Sequence, residues 1–251
     1  MAWRALAFLA LAALLSAGPA RAANPHFLEE LTWTELRERI RAGAGTILVP
    51  IGGTEQNGPY MALGKHNVRA RFLAERIATE LGSALVAPVI AYVPEGNINP
   101  PTGHMRLPGT ITVSGDVFEK VLESAARSFK QAGFRDIVFL GDHGDYQGNM
   151  KAVAARLNRE WSRTSVRVHA LDEYYRAAQI AEHAGAADTS LTLAIDPGLV
   201  RAERLKTQPK PTAAEGVQGD PREASAASGK AIVERIVSQS VEAIRKATSP
   251  R

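Results

Sequence analysis

The sequence predicts an α/β fold in which helices cover both faces of a mainly parallel sheet. Short runs rich in Val, Ile and Leu alternate with longer segments whose apolar residues recur at helical spacing. Gly82 and Gly133 directly follow two of the helical segments, as is typical of helix C-termini. Strands that alternate with helices pair in parallel, because each helical crossover returns the chain to the same end of the sheet.

Four apolar runs are predicted as strands, at residues 46–51, 84–92, 136–140 and 166–171. The helical segments are at residues 32–42, 68–81, 114–132, 149–163, 173–184, 188–195 and 230–247. Either Thr32 or Thr34 can cap the first helix, since a hydroxyl oxygen accepts from the free backbone N–H groups at a helix start. Residues 206–229 lack a regular pattern and are expected to be irregular.

The segment at residues 94–112 is rich in Pro and Gly and is too polar for a core element. A loop of this length within a folded domain is usually functional or disordered. We expect it to shape a substrate pocket.

The first 22 residues have the pattern of a secretory signal peptide. Arg4 precedes an apolar segment at residues 5–15, and Ala20 and Ala22 fit a small-x-small cleavage site. A retained membrane anchor is the alternative, but this segment is shorter than the roughly 20 residues that span a bilayer. We expect residues 1–22 to be removed and residues 23–251 to form a single domain. That domain would be periplasmic or secreted, with no stable membrane insertion.

Charge and composition argue against a nucleic-acid partner and limit which residues can form a metal site. The formal charge of +4 falls to +2 when the two arginines of residues 1–22 are removed. No stripe of Lys and Arg with interleaved aromatic residues is present, so we expect no nucleic-acid partner. Because the chain has no cysteine, any metal site must use His, Asp and Glu.

Polar side chains of a kind that binds metals follow two of the predicted strands. Glu55 comes after the strand at residues 46–51, and His66 lies eleven residues further on. Asp142, His143 and Asp145 follow the strand at residues 136–140. Because α/β folds bind ligands at the carboxyl ends of parallel strands, we expect these side chains to form one site.

Glu55, His66 and His143 together offer one carboxylate and two imidazoles, a set that suits zinc, manganese or iron. A bound divalent ion could activate water without a Ser or Cys nucleophile. Asp145 would either complete the ligand set or serve as general base. Each of these residues, taken alone, is more often a hydrogen-bonded loop residue than a metal ligand, so the interpretation depends on their occurring together. No serine-hydrolase elbow or phosphate-binding glycine motif accompanies them.

Five segments, in order along the chain, resemble the motifs of the creatininase (creatinine amidohydrolase) family. Residues 53–59 read Gly-Thr-Glu-Gln-Asn-Gly-Pro, close to the family's Gly-Ser-Thr-Glu-Gln-His-Gly-Pro. Residues 107–111 are similar to its Phe-Pro-Gly-Thr element and residues 141–144 to its Asn-Gly-His-Gly turn. Residues 183–190 and 216–221 resemble two later family segments.

The resemblance implies a three-layer α/β/α fold, two divalent metal ions and hydrolysis of C–N bonds in cyclic or linear amides. By position, Glu55 and His143 match metal ligands, and Asp145 matches an acidic ligand that also serves catalysis. His183 matches a histidine that handles protons around the leaving nitrogen. The family also implies a homo-oligomer, a hexamer in creatininase itself.

Two residues depart from the family pattern. Asn57 stands where the family has a histidine ligand, and His66 stands where it has an aspartate that bridges both metals. An asparagine amide is a poor transition-metal ligand, and a neutral imidazole offers a single lone pair. We therefore expect about one divalent ion per chain, bound by Glu55, His66 and His143, with Asp145 beside them.

The expected function is that of a metal-dependent amidohydrolase acting on a small-molecule amide. Asp145 would take a proton from the attacking water, and His183 would protonate the departing nitrogen. A catalytically silent scaffold that binds a ligand or partner is the alternative, and a single-metal enzyme acting on a lactone is another. His104 is either a pocket or a surface residue, and Tyr174 and Tyr175 line either the pocket or the core.

Overall fold

Four parallel strands form the centre of the structure, a computed structural model that describes residues 26–249. They are β1 (Thr46–Ile51), β2 (Ala84–Val86), β3 (Asp136–Gly141) and β4 (Arg167–Ala170), in the order β2-β1-β3-β4. The central strands β1 and β3 share the longest ladder, from the pair Thr46–Asp136 to the pair Ile51–Gly141. The predicted parallel sheet is thus confirmed.

Helices precede, connect and follow these strands. Within residues 26–249 they are α1 (Trp33–Arg41), α2 (Lys65–Leu81), α3 (Gly115–Ala132), α4 (Gln147–Glu160), α5 (Asp172–Ala178), α6 (Ala186–Ile195), α7 (Ala202–Thr207) and α8 (Ala226–Thr248). Short 3-10 turns lie at Leu28–Glu30, Gly103–Arg106, Pro197–Leu199, Ala213–Glu215 and Pro221–Glu223. None of the helices in this range is long and apolar enough to cross a bilayer. The predicted signal segment at residues 1–22 lies outside the described residues.

The sheet separates two hydrophobic cores, as the three-layer prediction requires. Ile47 and Val49 of β1 pack in one core with residues of α3 and α4. Leu48, which points to the opposite face, packs with residues of α2, α5, α6 and α8. Both faces of the strand are apolar because both are covered, which confirms the α/β/α arrangement.

The predicted helix ends are observed where the sequence carries a capping residue. Thr32 and Glu35 form a reciprocal capping box at the start of α1. Gly133 follows α3 in the left-handed conformation, with φ of 107°. Replacing the Thr32 cap by Ala is expected to cost about 1 kcal/mol of stability.

Several element boundaries differ from the prediction. The second strand ends at Val86 instead of residue 92, because Pro88 has no N–H to continue a regular ladder, although Ala87 and Ile90 still donate to carbonyls of β1. Helix α5 ends at Ala178, where Gln179 has a positive φ. The region predicted to be irregular, residues 206–229, contains the last two residues of α7 and the start of α8. Helix α2 starts three residues early, so that His66 lies in its first turn.

Candidate metal centre

Glu55 lies beyond the carboxyl end of β1 and is fully buried. Its backbone N–H donates to the carbonyl of Leu63 at 3.1 Å, which closes the turn before α2. Gly53, with φ of 149°, lets a second carboxylate approach this turn, because a Cβ there would lie 2.6 Å from Oε1 of Glu95. Two acidic side chains are therefore brought together at the end of one strand.

The loop at residues 94–112 supplies Glu95 and His104. The backbone N–H of Glu95 donates to the hydroxyl of Thr112 at 3.0 Å, and that hydroxyl donates to the carbonyl of Gly96 at 3.0 Å. The hydroxyl of Thr110 donates to the carbonyl of His104 at 2.8 Å. These bonds fold the loop back on itself and hold both side chains toward the end of β1.

Four side chains can direct one ligand atom each to a common point. They are Glu55, Glu95, His104 and His143, and their ligand atoms lie within 4.8 Å of one another. Oε2 of Glu55 is 3.2 Å from Nε2 of His104 and 3.3 Å from Nε2 of His143. Oε2 of Glu95 is 3.8 Å from Nε2 of His143. Two carboxylates and two imidazoles form a donor set that zinc, manganese and iron all accept.

Three of the four carboxylate oxygens of this group lack a hydrogen-bond partner. Among residues 26–249, Oε2 of Glu55 and both oxygens of Glu95 are buried and unpaired. A buried acceptor left unsatisfied costs about 1–3 kcal/mol, and more when it is charged. A divalent cation between these oxygens would remove that cost, so the residues present fit a metal ion.

The charges of the group respond to burial and to one another. Burial raises the pKa of Glu95 to about 8, with the negative charge of Glu55 adding to the effect. Burial also acts to raise the pKa of Glu55, but His66, His143 and Lys65 outweigh it and lower that pKa. For His143, burial lowers the pKa, yet Glu55 and Glu95 raise it to about 9. Without a cation, therefore, one carboxylate is ionised and the other holds its proton at neutral pH.

His66 contacts the other oxygen of Glu55. Its Nε2 is 2.7 Å from Oε1 of Glu55, and its Nδ1 is 2.6 Å from Oδ2 of Asp142. Both ring nitrogens are thus engaged with carboxylates, and His66 is not among the four residues that converge. A ring in this position orients Glu55 and leaves Oε2 free.

Behind His66 lies a network of buried ion pairs. Lys65 contacts Oε1 of Glu55 at 3.6 Å and forms a short ion pair with Asp188. Arg69 bridges Asp188 and Asp142, with Nη2 at 2.8 Å from Oδ2 of Asp142. Burial opposes ionisation of Asp188, but Lys65 and Arg69 lower its pKa far below the usual range. The charges of Lys65 and Arg69 are therefore both paired with buried carboxylates.

The remaining two site residues predicted from the sequence lie around the group. Asp145 is exposed at the rim, and its backbone N–H donates to Nδ1 of His143 at 3.3 Å. His183 donates from Nε2 to the carbonyl of Gln56 at 2.9 Å, which leaves Nδ1 facing Oε1 of Glu55 at 3.7 Å. Burial, aided by the charge of Lys65, lowers the pKa of His183 to about 4. His183 is therefore neutral and presents a lone pair.

A cavity of about 310 Å³ opens beside the group. Its polar wall includes His104, His143, Asp145 and His183. Aromatic and aliphatic side chains also line it, namely Tyr174, Tyr175, Ala178, Ile180, Ala181 and Ile236. The cavity therefore offers both polar and apolar contacts beside His104 and His143, two of the four converging residues.

Two of the four converging residues, Glu55 and His143, are among the metal ligands predicted from the sequence. Sequence reasoning missed Glu95 as a member of this converging group and left His104 open between pocket and surface. The available signal was the loop itself, which holds an acid at its start and a histidine nine residues later. Asn57 is buried and donates to the carbonyls of Glu55 and Ala62 at 3.0 and 2.9 Å, so it holds the turn.

Comparison with known proteins identifies relatives over nearly the whole described range. The family model "Creatininase: Creatinine amidohydrolase" matches residues 29–244. A mycofactocin precursor peptide peptidase from Mycolicibacterium smegmatis is 27% identical over 237 residues, covering 85% of this chain and 90% of that protein. A creatinine amidohydrolase from Pseudomonas putida is 26% identical over 258 residues, covering 89% of this chain and 98% of that protein.

Solved structures agree with the sequence matches. A crystal structure of creatinine amidohydrolase (creatininase) superposes with a TM-score of 0.77 at 25% identity, covering 90% of this chain and 99% of that one. Two further matches are a creatininase described as Mn and a creatininase mutant described as Zn–Zn type, with TM-scores of 0.74 and 0.73. Divalent metals are therefore established among proteins of this fold that resemble the chain.

Proposed function

Since the chain belongs to the creatininase family, we propose that it is a hydrolase that cleaves an amide C–N bond with one divalent metal ion. The observation that carries this proposal is the set of buried, unpaired carboxylate oxygens beside two imidazole nitrogens. Such a set is costly in the absence of a cation and suited to one when it is present.

Glu55, Glu95, His104 and His143 would hold the ion. A divalent ion at such a site lowers the pKa of a bound water and polarises a substrate carbonyl. The protein's own contribution is to orient the ligands: His66 holds Oε1 of Glu55 at 2.7 Å, so that Oε2 faces Nε2 of His104 and of His143. The loop at residues 94–112 brings the other carboxylate and one imidazole.

A single ion per chain is supported by the charges on the other side of Glu55. Oε1 already contacts His66 and Lys65, and Arg69 lies behind them. A second divalent ion beside Oε1 would have to displace the contacts that His66 and Lys65 already make with that oxygen. This differs from the relative described as Zn–Zn type.

Two residues of the cavity wall can move protons. His183 is neutral and presents Nδ1, so it accepts a proton before it can deliver one to the leaving nitrogen. Asp145 is exposed at the rim, and its carboxylate has no hydrogen bond or ion pair within the described range, so it is free to accept a proton from the attacking water. We assign the base role to Asp145 and the delivery of the proton to His183.

The substrate is a small amide, cyclic or linear, that fits a cavity of about 310 Å³. Its carbonyl would face the four converging side chains, and an apolar part would contact the wall that includes Tyr174 and Ile236. The relatives named above include both a creatinine amidohydrolase and a peptide peptidase, so short peptides belong in the substrate panel. We also propose that the protein is exported to the periplasm or beyond and that it forms a homo-oligomer.

The test begins with untagged protein purified without chelator. We expect elemental analysis to find about one equivalent of divalent metal per chain, and a panel of cyclic amides, linear amides and short peptides to include a substrate. Glu95→Gln should lose both the metal and the activity, while Tyr92→Phe, a change at an exposed side chain, serves as the matched control. Hydrolysis of lactones but of no amide would contradict the bond class. Absence of metal after reconstitution with zinc and manganese would favour a silent scaffold.

A further inference from the structure

Tyr146 links the ends of the two central strands through its hydroxyl group. It is fully buried and immediately precedes α4. Its hydroxyl oxygen lies 2.9 Å from the carbonyl oxygen of Ile51, the last residue of β1, and 2.7 Å from that of Gly52. The same oxygen accepts from the backbone N–H of His143, beyond β3, at 3.0 Å. One hydroxyl group thus joins the two chain segments that lead to Glu55 and His143.

The hydroxyl proton is best placed toward the carbonyl of Gly52. The carbonyl of Ile51 already accepts from the backbone N–H of Asp142 at 3.0 Å, whereas that of Gly52 is nearer to the hydroxyl and has no other partner within residues 26–249. The N–H of His143 also has this hydroxyl as its only partner in that range. Without the hydroxyl, one backbone acceptor and one backbone donor would lose their partner, and native structures rarely leave such groups unpaired.

The peptide group between Gly52 and Gly53 is held at both of its polar atoms. Tyr146 donates to its carbonyl, and its N–H donates to Oδ1 of Asn67 in α2 at 3.0 Å. Because a peptide group is planar, fixing both atoms fixes its orientation. Glu55 follows two residues later, so the path of the chain toward this carboxylate depends on the Tyr146 hydroxyl.

The backbone on both sides of His143 is held from the start of α4. Tyr146 accepts from its N–H, and Nε2 of Gln147 donates to its carbonyl at 2.8 Å and to that of Gly141 at 3.0 Å. Gly141 leaves room for these two side chains, because a Cβ there would lie 2.9 Å from Cε2 of Tyr146 and 2.7 Å from Nε2 of Gln147. The direction in which His143 projects is therefore set by these two neighbours.

We propose that Tyr146 is a positioning residue of the metal centre and that its hydroxyl fixes the separation of Glu55 and His143. The inference rests on the proposed function, since these two residues would share the ion. Tyr146 is fully buried and its hydroxyl is bonded to backbone groups, so it contacts neither the ion nor a substrate. It acts through the pair formed by Oε2 of Glu55 and Nε2 of His143, which are 3.3 Å apart.

The first test compares zinc affinities, measured by competition with a chromophoric chelator, in Tyr146→Phe and in Ser190→Ala. Ser190 is the control because its buried hydroxyl accepts from the backbone N–H of Ser225 at 2.9 Å, between α6 and α8 and outside the converging group. We expect zinc affinity to fall about tenfold in Tyr146→Phe, as for other supporting partners of metal ligands, and to stay within about twofold of wild type in Ser190→Ala. Equal affinities in the two variants would overturn the proposal.

The second test uses a readout that a merely structural role would not change. Cobalt(II) bound in place of zinc absorbs visible light with an intensity that depends on the number and arrangement of its ligands. The spectrum of Tyr146→Phe should differ from that of wild type, and the spectrum of Ser190→Ala should match it. An unchanged spectrum in Tyr146→Phe would contradict the positioning role. If Tyr146→Phe does not fold, Gln147→Met, which releases the carbonyl of His143 instead, replaces it with the same expectations.

Amide hydrogen exchange separates this proposal from the metal centre itself. In metal-free wild-type protein the N–H of His143 should be protected, and in Tyr146→Phe it should exchange at least about tenfold faster, with no change in Ser190→Ala. Rapid exchange in wild type would refute the hydrogen bond to Tyr146. If wild type binds neither zinc nor cobalt, the proposed centre fails, and the exchange rates still decide whether the hydroxyl holds this loop.

Discussion

The two oxygens of the Glu55 carboxylate face two different environments. Oε1 lies against the first turn of α2, where Lys65, His66 and Arg69 are each matched by an acid. Oε2 faces Glu95, His104 and His143, and it has no hydrogen-bond partner within the described range. Ionisable residues are buried on the Oε1 side and buried or partly buried on the Oε2 side. The two sides differ in whether their polar atoms have partners. The charges on the Oε1 side are paired, as in a structural network, whereas carboxylate oxygens on the Oε2 side are unpaired, as in a binding site.

The largest expected effect lies on the Oε1 side. Arg69→Met removes the cation shared by Asp142 and Asp188 and leaves two buried acids short of a partner. We expect the free energy of unfolding, measured by urea denaturation of the metal-free protein, to fall by about 3–5 kcal/mol. Arg76→Met, which removes an exposed pair with Glu234, is the control and should cost at most about 1 kcal/mol. Equal losses in the two variants would mean that the buried network is not structural.

The next effect lies on the Oε2 side. Glu95→Gln replaces a carboxylate that can bind metal by a neutral amide of the same shape. We expect zinc affinity, from chelator competition, to fall roughly a hundredfold, which is about 2.7 kcal/mol. Urea stability of the metal-free protein should not fall, because the replaced oxygens have no partner to lose. Unchanged affinity would remove Glu95 from the centre.

The same variant should alter the pH dependence of stability. Glu95 has its pKa raised from 4.5 to about 8 in the folded protein, so between these values the folded state keeps a proton that the unfolded chain has released. The folded state then binds more protons, and stability falls as pH rises. His183, with its pKa lowered to about 4, acts in the opposite direction between about 4 and 6.5. We therefore expect the difference in stability between Glu95→Gln and metal-free wild type to grow from pH 5 to pH 8, and a constant difference would contradict the burial of an unpaired carboxyl.

The smallest expected effect concerns Asp145. This carboxylate is exposed at the rim and is not among the four converging groups. Asp145→Asn should change zinc affinity by no more than a few-fold, since water screens an exposed charge. Catalytic rate on an identified substrate should nevertheless fall, by about 10²–10⁴ if Asp145 is the base. A loss of zinc affinity as large as that of Glu95→Gln would make Asp145 a ligand.

The fold was predictable because its signals are local. The apolar runs around Leu48 and Val138 and the glycines at 82 and 133 indicate strands and helix ends within a few residues. The second strand was predicted too long because residues 87–92 are as rich in Val and Ile as a strand. Regular pairing is interrupted at Pro88, which has no N–H, even though Ile90 still donates to the carbonyl of Pro50 in β1.

The site was only partly predictable because its partners are distant in sequence. Glu55 and His143 follow strands directly, so their meeting follows from the parallel sheet. His66 has a ligand's chemistry, but the structure places it between Glu55 and Asp142, and Asp142 is 76 positions away. Glu95 and His104 come from a loop whose path depends on contacts such as that between Gly53 and Glu95.

The most direct measurement is a crystal structure of the zinc-loaded protein with anomalous diffraction at the zinc edge. We expect one ion per chain, bound by Oε2 of Glu55 together with Glu95, His104 and His143, while His66 remains hydrogen-bonded to Oε1. An ion on the Oε1 side that is bound by His66, or two ions that share Glu55, would contradict the division between the two oxygens.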